Sequence, residues 1–183
     1  MKETEQAIKR TDGNKEIYLA GGCFWGTEHY FKMISGVVET EVGYANGITD
    51  NPTYKDVCTD KTQYAETVRI VYDPKRVGLR FLLRMFFKAI DPISINRQGH
   101  DVGTQYRTGI YYTDPSDLPI VEEVWQEEQA LEEEPLAVEK LPLVNFHPAE
   151  EYHQDYLDKN PEGYCHLPIE LFKFAKEAKP ETD

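Results

Sequence analysis

"KEIYLAGGCFWGTEHYFKMI", residues 15–34, decides the fold. Residues 15–22 run from β-forming side chains into a glycine pair, which predicts a strand entering a tight turn. Residues 23–34 space their apolar groups at Phe24, Phe31 and Ile34, which predicts a helix. A strand that feeds a helix is the first half of a β-α-β unit, and the elements after it fix the class.

"GVVETEVGYANG" (36–47) alternates, with Val38, Thr40, Val42 and Tyr44 on one face and Glu39 and Glu41 on the other. "ITDNPTYKDVCTDKTQ" (48–63) is polar, carries Asn51-Pro52 and reads as a loop. "YAETVRIVYDP" (64–74) is a strand stopped by Asp73-Pro74. "GLRFLLRMFFKAI" (78–90) is an amphipathic helix. Leu79, Leu82, Leu83, Phe86 and Ile90 form its stripe, opposite Arg80, Arg84 and Lys88. A second loop covers 91–103, and "TQYRTGIYYTD" (104–114) is a strand. An acidic helix follows near 118–134, most simply with a solvated face. "VEKLPLV" (138–144) is an edge strand because of Pro142, and 151–160 is a short helix ended by Pro161. The order βαββαβ with C-terminal additions predicts an α+β, ferredoxin-like two-layer sandwich: an antiparallel sheet with helices on one face. Residues 1–14 read as a flexible polar lead, 15–167 as one domain and 168–183 as a tail.

Composition narrows the function. The 183 residues carry a net charge of −13 and no cationic patch, which argues against nucleic acid and anionic lipid as partners. No apolar run reaches the roughly 18–20 residues of a membrane span, and the start shows no signal-peptide pattern, so the expected compartment is the reducing cytoplasm. The spacing of Cys23, Cys58 and Cys165 is too wide for a CxxC zinc site, and no metal is expected. The cysteines are therefore either buried or reactive.

Cys23 follows Gly21-Gly22 and opens a helix. Free amides at a helix N-terminus carry roughly half a positive charge and favour a thiolate. Phe24 and Trp25 can wall an apolar pocket beside the sulfur. The plain alternative is a small core residue, since free cysteine is among the most buried types. Glu66 shares a strand face with Tyr64, Val68, Ile70 and Tyr72, and a carboxyl held against apolar surface stays protonated, as a general acid must. The alternative is a head that reaches water at the strand end. Tyr106 shares a face with Thr108, Ile110 and Tyr112, leaving its hydroxyl as a donor. Tyr54 falls in a loop, where exposure is the plain expectation. Asp101 sits between glycines, where turn capping would suffice.

Five segments in order add to this: "GCFWG" (22–26), "GYANG" with "NPTY" (43–54), "AE" before "VYDP" (65–74), "QGHDVGTQYR" (98–107) and "KNPEGYC" (159–165). Together they closely resemble the peptide methionine sulfoxide reductase A family over residues 16–166. The resemblance implies reduction of methionine S-sulfoxide, free or in proteins. It makes Cys23 the nucleophile and Glu66 the acid, with Tyr54 and Tyr106 as assisting donors. Phe24 and Trp25 would hold the S-methyl group, and Asp101 would support the site. Cys165 would resolve the Cys23 sulfenic acid to a disulfide. Thioredoxin or a small dithiol would then recycle that disulfide, with no resident cofactor and a monomeric enzyme. Cys58 would have only a minor or structural role. Tyr64 stands where the family often has His, His100 where it often has Asn, and no second recycling cysteine follows Cys165. A thiol peroxidase, or an acidic module that binds methionine segments without turnover, are the competing classes.

Overall fold

The structure is a computed structural model that describes residues 12–183, so most of the expected lead (1–14) lies outside the described residues. Its centre is a six-stranded sheet. β1 (Lys15–Gly21) leads through a short turn to α1 (Phe24–Lys32) and then β2 (Val37–Ala45). Next come a one-turn helix α2 (Tyr54–Val57), β3 (Ala65–Tyr72) and α3 (Leu79–Lys88). A two-stranded ribbon of β4 (Arg97–Gln98) and β5 (Asp101–Val102) precedes β6 (Thr108–Tyr112). α4 (Leu118–Gln129), edge strand β7 (Glu139–Pro142), β8 (Phe146–Pro148), α5 (Tyr156–Lys159) and α6 (Ile169–Glu177) complete the chain. The sheet order is β7-β6-β1-β3-β2-β8.

The sheet is mixed rather than antiparallel, because β7 runs parallel to β6 while the other pairs are antiparallel. A parallel neighbour needs a crossover, and α4 supplies it. Pro142, at the end of β7, lies on a sheet edge, where a missing N–H costs no ladder bond.

The apolar faces meet as their spacing requires. Ile17, Leu19, Val42, Val68, Ile70 and Ile110 project from the sheet into one core with Phe31 of α1 and Leu82, Leu83 and Phe86 of α3. α3 thus forms where the sequence places it, and Arg80 and Arg84 on its outer face pair with Glu123 and Glu127 of α4. The acidic helix is therefore partly matched by cations rather than wholly solvated, although such exposed pairs stabilise by no more than about 1 kcal/mol each. Leu82 is fully buried. Leu82→Ala should cost about 2–5 kcal/mol, the price of lost transfer energy plus a residual cavity, read as a lower denaturant midpoint.

Several local expectations are corrected. A bulge between Val37 and Glu39 shifts the face of β2, so Val38 is exposed while Val42 and Tyr44 stay in the core. The strand expected over 104–114 begins only at Thr108; a 3₁₀ turn, Thr104–Tyr106, precedes it. The first loop contains α2, started by a capping box in which Thr53 and Asp56 satisfy each other's amides. The acidic helix ends at Gln129. The segment 151–160 is a 3₁₀ turn and α5, separated by Asp155 in the left-handed region. Residues 168–183 form α6 against α1 rather than a plain tail. Ala175 of α6 is fully buried, Phe172 meets His29 edge-on, and the Asp183 carboxylate accepts the amides of Leu79 and Arg80 at the head of α3.

Candidate active site

Cys23 is the residue before the first turn of α1, reached from β1 through Gly21-Gly22. Gly22 has φ +89°, and a Cβ there would lie 2.8 Å from Gln98 Cβ, so both the turn and the close packing of the ribbon require glycine. Cys23 is buried, 6% exposed. Burial, and then the Glu66 carboxylate, push its thiol well above the usual range; the Trp25 amide pulls the other way. Burial therefore outweighs the helix terminus and keeps the Cys23 thiol protonated.

Glu66 is 1% exposed on the central strand β3. Its Oε1 accepts the Phe24 amide at 3.2 Å and its Oε2 accepts the Gln105 side-chain amide at 3.3 Å. Burial outweighs these two donors, and its pKa is raised to about 8. Near neutral pH the group is a carboxylic acid beside the first turn of α1. The same protonation removes most of its charge repulsion on Cys23, which leaves burial as the dominant pressure on the thiol.

Tyr106 comes to the site from the 3₁₀ turn, not from a strand face as its spacing suggested. Its phenol is raised by burial and then by Glu66, followed by Tyr54 and Cys23. Tyr54, expected to be exposed, is only partly so. It packs against the core and its ring sits 4.6 Å from His153. Its amide is held by Glu150 Oε2 at 3.1 Å, and the other oxygen of Glu150 accepts the Tyr44 hydroxyl. Tyr54 too is raised by burial and then by Glu66. Two neutral phenols and one neutral carboxyl thus share one electrostatic neighbourhood with Cys23.

Phe24 is buried, with its ring against Tyr44 and His153. Trp25 stacks flat on Tyr156 at 3.7 Å and donates Nε1–H to His153 Nδ1 at 2.9 Å. His153 thus touches both aromatics of the first turn.

Asp101, on β5, accepts the Tyr164 hydroxyl at 3.0 and 2.9 Å. This ties the ribbon to the segment that carries Cys165. Cys165 is half-buried, and its thiol is raised by burial. A Cβ built on Gly26 would lie 3.0 Å from Cys165 Sγ, so the second glycine of GCFWG opens the helix face on which that cysteine rests. Cys58 is exposed, and its sulfur accepts the same Gln105 amide group at 3.3 Å. Tyr64 is buried just before β3, where its ring covers Gly47 and its hydroxyl donates to the Thr49 carbonyl. His100 is exposed at the ribbon tip.

Sequence reasoning did not single out Gln105, His153, Glu150 or Tyr156. Gln105 and His153 lie within segments the sequence marked, but a glutamine one residue from a tyrosine, or a histidine in a short helix, carries no periodic signal.

The family model described as peptide methionine sulfoxide reductase matches residues 15–182. A Clostridium acetobutylicum protein named peptide methionine sulfoxide reductase MsrA is 58% identical over 159 residues, 87% of this chain and 98% of the relative. The reduced form of Mxr1 from Saccharomyces cerevisiae superposes with a TM-score of 0.82 at 41% identity, over 87% of this chain and 93% of that one. Mxr1 solved in complex with Trx2 aligns with a TM-score of 0.58 at 28% identity, over 82% and 91%.

Proposed function

This chain belongs to the peptide methionine sulfoxide reductase family, and from that premise we propose that it reduces methionine sulfoxide to methionine through Cys23, with a thioredoxin-type dithiol restoring the enzyme. The observation that carries the reading is the buried Cys23 thiol beside a buried Glu66 that is a neutral acid near pH 7.

A sulfoxide oxygen leaves poorly until protonated. Attack by sulfur builds charge on it, so neutral donors aimed there favour the transition state. Glu66 gives the oxygen its proton while Tyr54 and Tyr106 donate hydrogen bonds. The Cys23 sulfur bonds to the sulfoxide sulfur; as the oxygen then bonds to the Cys23 sulfur, the substrate's S–O bond and the new S–S bond break. The sulfoxide gains two electrons and leaves as the thioether; Cys23 becomes a sulfenic acid, and the thiol proton restores Glu66. Phe24 and the Trp25 ring, fixed by Tyr156 and His153, form the apolar wall for the S-methyl group. Asp101 supports the site by holding the Cys165 segment through Tyr164.

Cys165 then resolves the sulfenic acid as a Cys23–Cys165 disulfide, which thioredoxin reduces; the Trx2 complex of the yeast relative supports that partner. Electrons come from this external dithiol rather than a resident cofactor. Substrates are free methionine sulfoxide and oxidised proteins, of the S epimer. The catalytic unit is residues 15–167, a ferredoxin-like sandwich in which β6-β1-β3-β2 form the central four strands. We place it in the cytoplasm as a monomer.

The test is a single turnover of racemic methionine sulfoxide without reductant, read by chiral chromatography and thiol counting. One epimer should disappear at about one equivalent, with two thiols lost. No loss of either epimer would turn the reading toward a peroxidase or a binding module. Cys165→Ser should give the same methionine burst and then stall with thioredoxin, its steady rate falling by more than about 10²-fold. Normal recycling by that variant would remove Cys165 from the resolving role.

A further inference from the structure

His166 follows Cys165 and is the second side chain that rests on Gly26. The point where a Gly26 Cβ would stand is 3.0 Å from His166 Nδ1 as well as from Cys165 Sγ. The two atoms thus border the same space left by the missing side chain. His166 Nε2 lies 3.1 Å from the Gly21 carbonyl oxygen. A carbonyl only accepts, so Nε2 carries the proton and the lone pair is on Nδ1. That Nδ1 is buried and has no hydrogen-bond partner among the described residues. A buried basic nitrogen without a partner is costly and rare in folded proteins, which calls for an explanation of its own.

We propose that His166 is the general base of the resolving step, taking the Cys165 proton through Nδ1 as Cys165 attacks the oxidised Cys23. This rests on the reading of Cys165 as the resolving thiol. The Cys165 S–H bond breaks and its proton moves to Nδ1. The thiolate bonds to the Cys23 sulfur, whose bond to oxygen breaks. Hydroxide leaves and takes the proton from the imidazolium, so water is released and His166 is neutral again. Cys165 is oxidised, Cys23 is reduced from sulfenic acid to disulfide, and no other reactant is needed.

The environment supports the assignment. Burial holds the Cys165 thiol protonated, so it gains from a base. Burial holds the imidazole below its ordinary range, so it is neutral and able to accept. The groups around it are the Gly21 carbonyl on β1, the Asp101 carboxylate on the ribbon and Cys165 on its own segment. Asp101 stabilises the imidazolium that the step creates.

The test separates the two chemical steps. His166→Gln keeps an N–H at the reach of Nε2 for the Gly21 carbonyl but has no base. Methionine release in a single turnover reports the first step, and trapping with peptide mapping reports the Cys23–Cys165 disulfide. We expect the methionine burst to persist and disulfide formation to slow by about 10²-fold at pH 7. The deficit should shrink as pH rises, because a growing share of Cys165 then ionises without a base. An undiminished disulfide rate, a deficit that does not change with pH, or a lost burst would each overturn the assignment. If the wild-type chain forms no Cys23–Cys165 disulfide, the resolving reading fails first and takes this inference with it.

Discussion

Cys23→Ser should reduce no methionine sulfoxide and lose no thiols in a single turnover. The rate should drop by about 10⁴–10⁶-fold, the scale on which losing a nucleophile acts. A hydroxyl is a far weaker nucleophile than a thiol near neutral pH and cannot accept the oxygen to give a sulfenic acid. The loss should not come from unfolding. The Trp25 amide already faces the sulfur at the residue before α1, and serine is a preferred side chain there because its oxygen accepts such amides. The measurement pairs chiral chromatography with a denaturant midpoint. An inactive variant with an unchanged midpoint confirms the chemical role. A variant that still forms methionine would move the nucleophile to Cys58 or Cys165.

The competing readings of Cys23, core filler or reactive thiol, are both partly satisfied: it is buried, and its neighbours are polar. Sequence could locate it because GGCFWG (21–26) compresses the strand end, the turn and the helix start into six consecutive residues. Glu66 was legible for a related reason. A strand has a period of two, so a carboxyl among Tyr64, Val68 and Ile70 must share their buried face. The same logic failed for Tyr106. Gly103, at φ +148°, starts a 3₁₀ turn, and the period of two does not reach back past Thr108. It failed again at Val38, where one bulged residue reverses every face before it.

What pattern could not supply were contacts between distant segments. Trp25 is fixed by His153, 128 residues away, and Tyr54 by Glu150, 96 residues away. Nothing local in either stretch signals its partner. The departures Tyr64 and His100 are likewise explained only in three dimensions: one pins the loop after β2 and the other points outward, so neither touches Glu66. The parallel edge strand β7 was placed correctly at an edge by Pro142, but its direction depends on where α4 crosses, which no short window contains.

Glu66 carries the second large effect. Glu66→Ala should lower sulfoxide reduction by about 10²–10³-fold, the loss expected when one donor to a developing oxyanion is removed. Glu66→Gln should lose less than Glu66→Ala at pH 7, because its amide still donates a hydrogen bond to the oxygen, although it gives no proton. Equal losses in the two variants would show that proton transfer is obligatory. The pH dependence sharpens the distinction. In the wild type the carboxyl is neutral below about 8 and ionised above it. Ionisation removes a donor and sets a negative charge beside both the oxygen and Cys23, while the amide donates at every pH. The ratio of the Gln variant's rate to the wild type's should therefore rise as pH increases through about 8, with any effect of Cys23 ionisation common to both largely cancelling. Stability follows the same sign. A carboxyl raised from 4.5 to about 8 binds more protons folded than unfolded, so its contribution is complete below 4.5 and is lost as pH rises through about 8. Glu66→Gln removes that loss, and its denaturant midpoint should exceed the wild type's above pH 8. A midpoint that fell in parallel with the wild type's would mean that Glu66 is already ionised near neutrality, and the acid in the first step would have to come from Tyr54 or Tyr106.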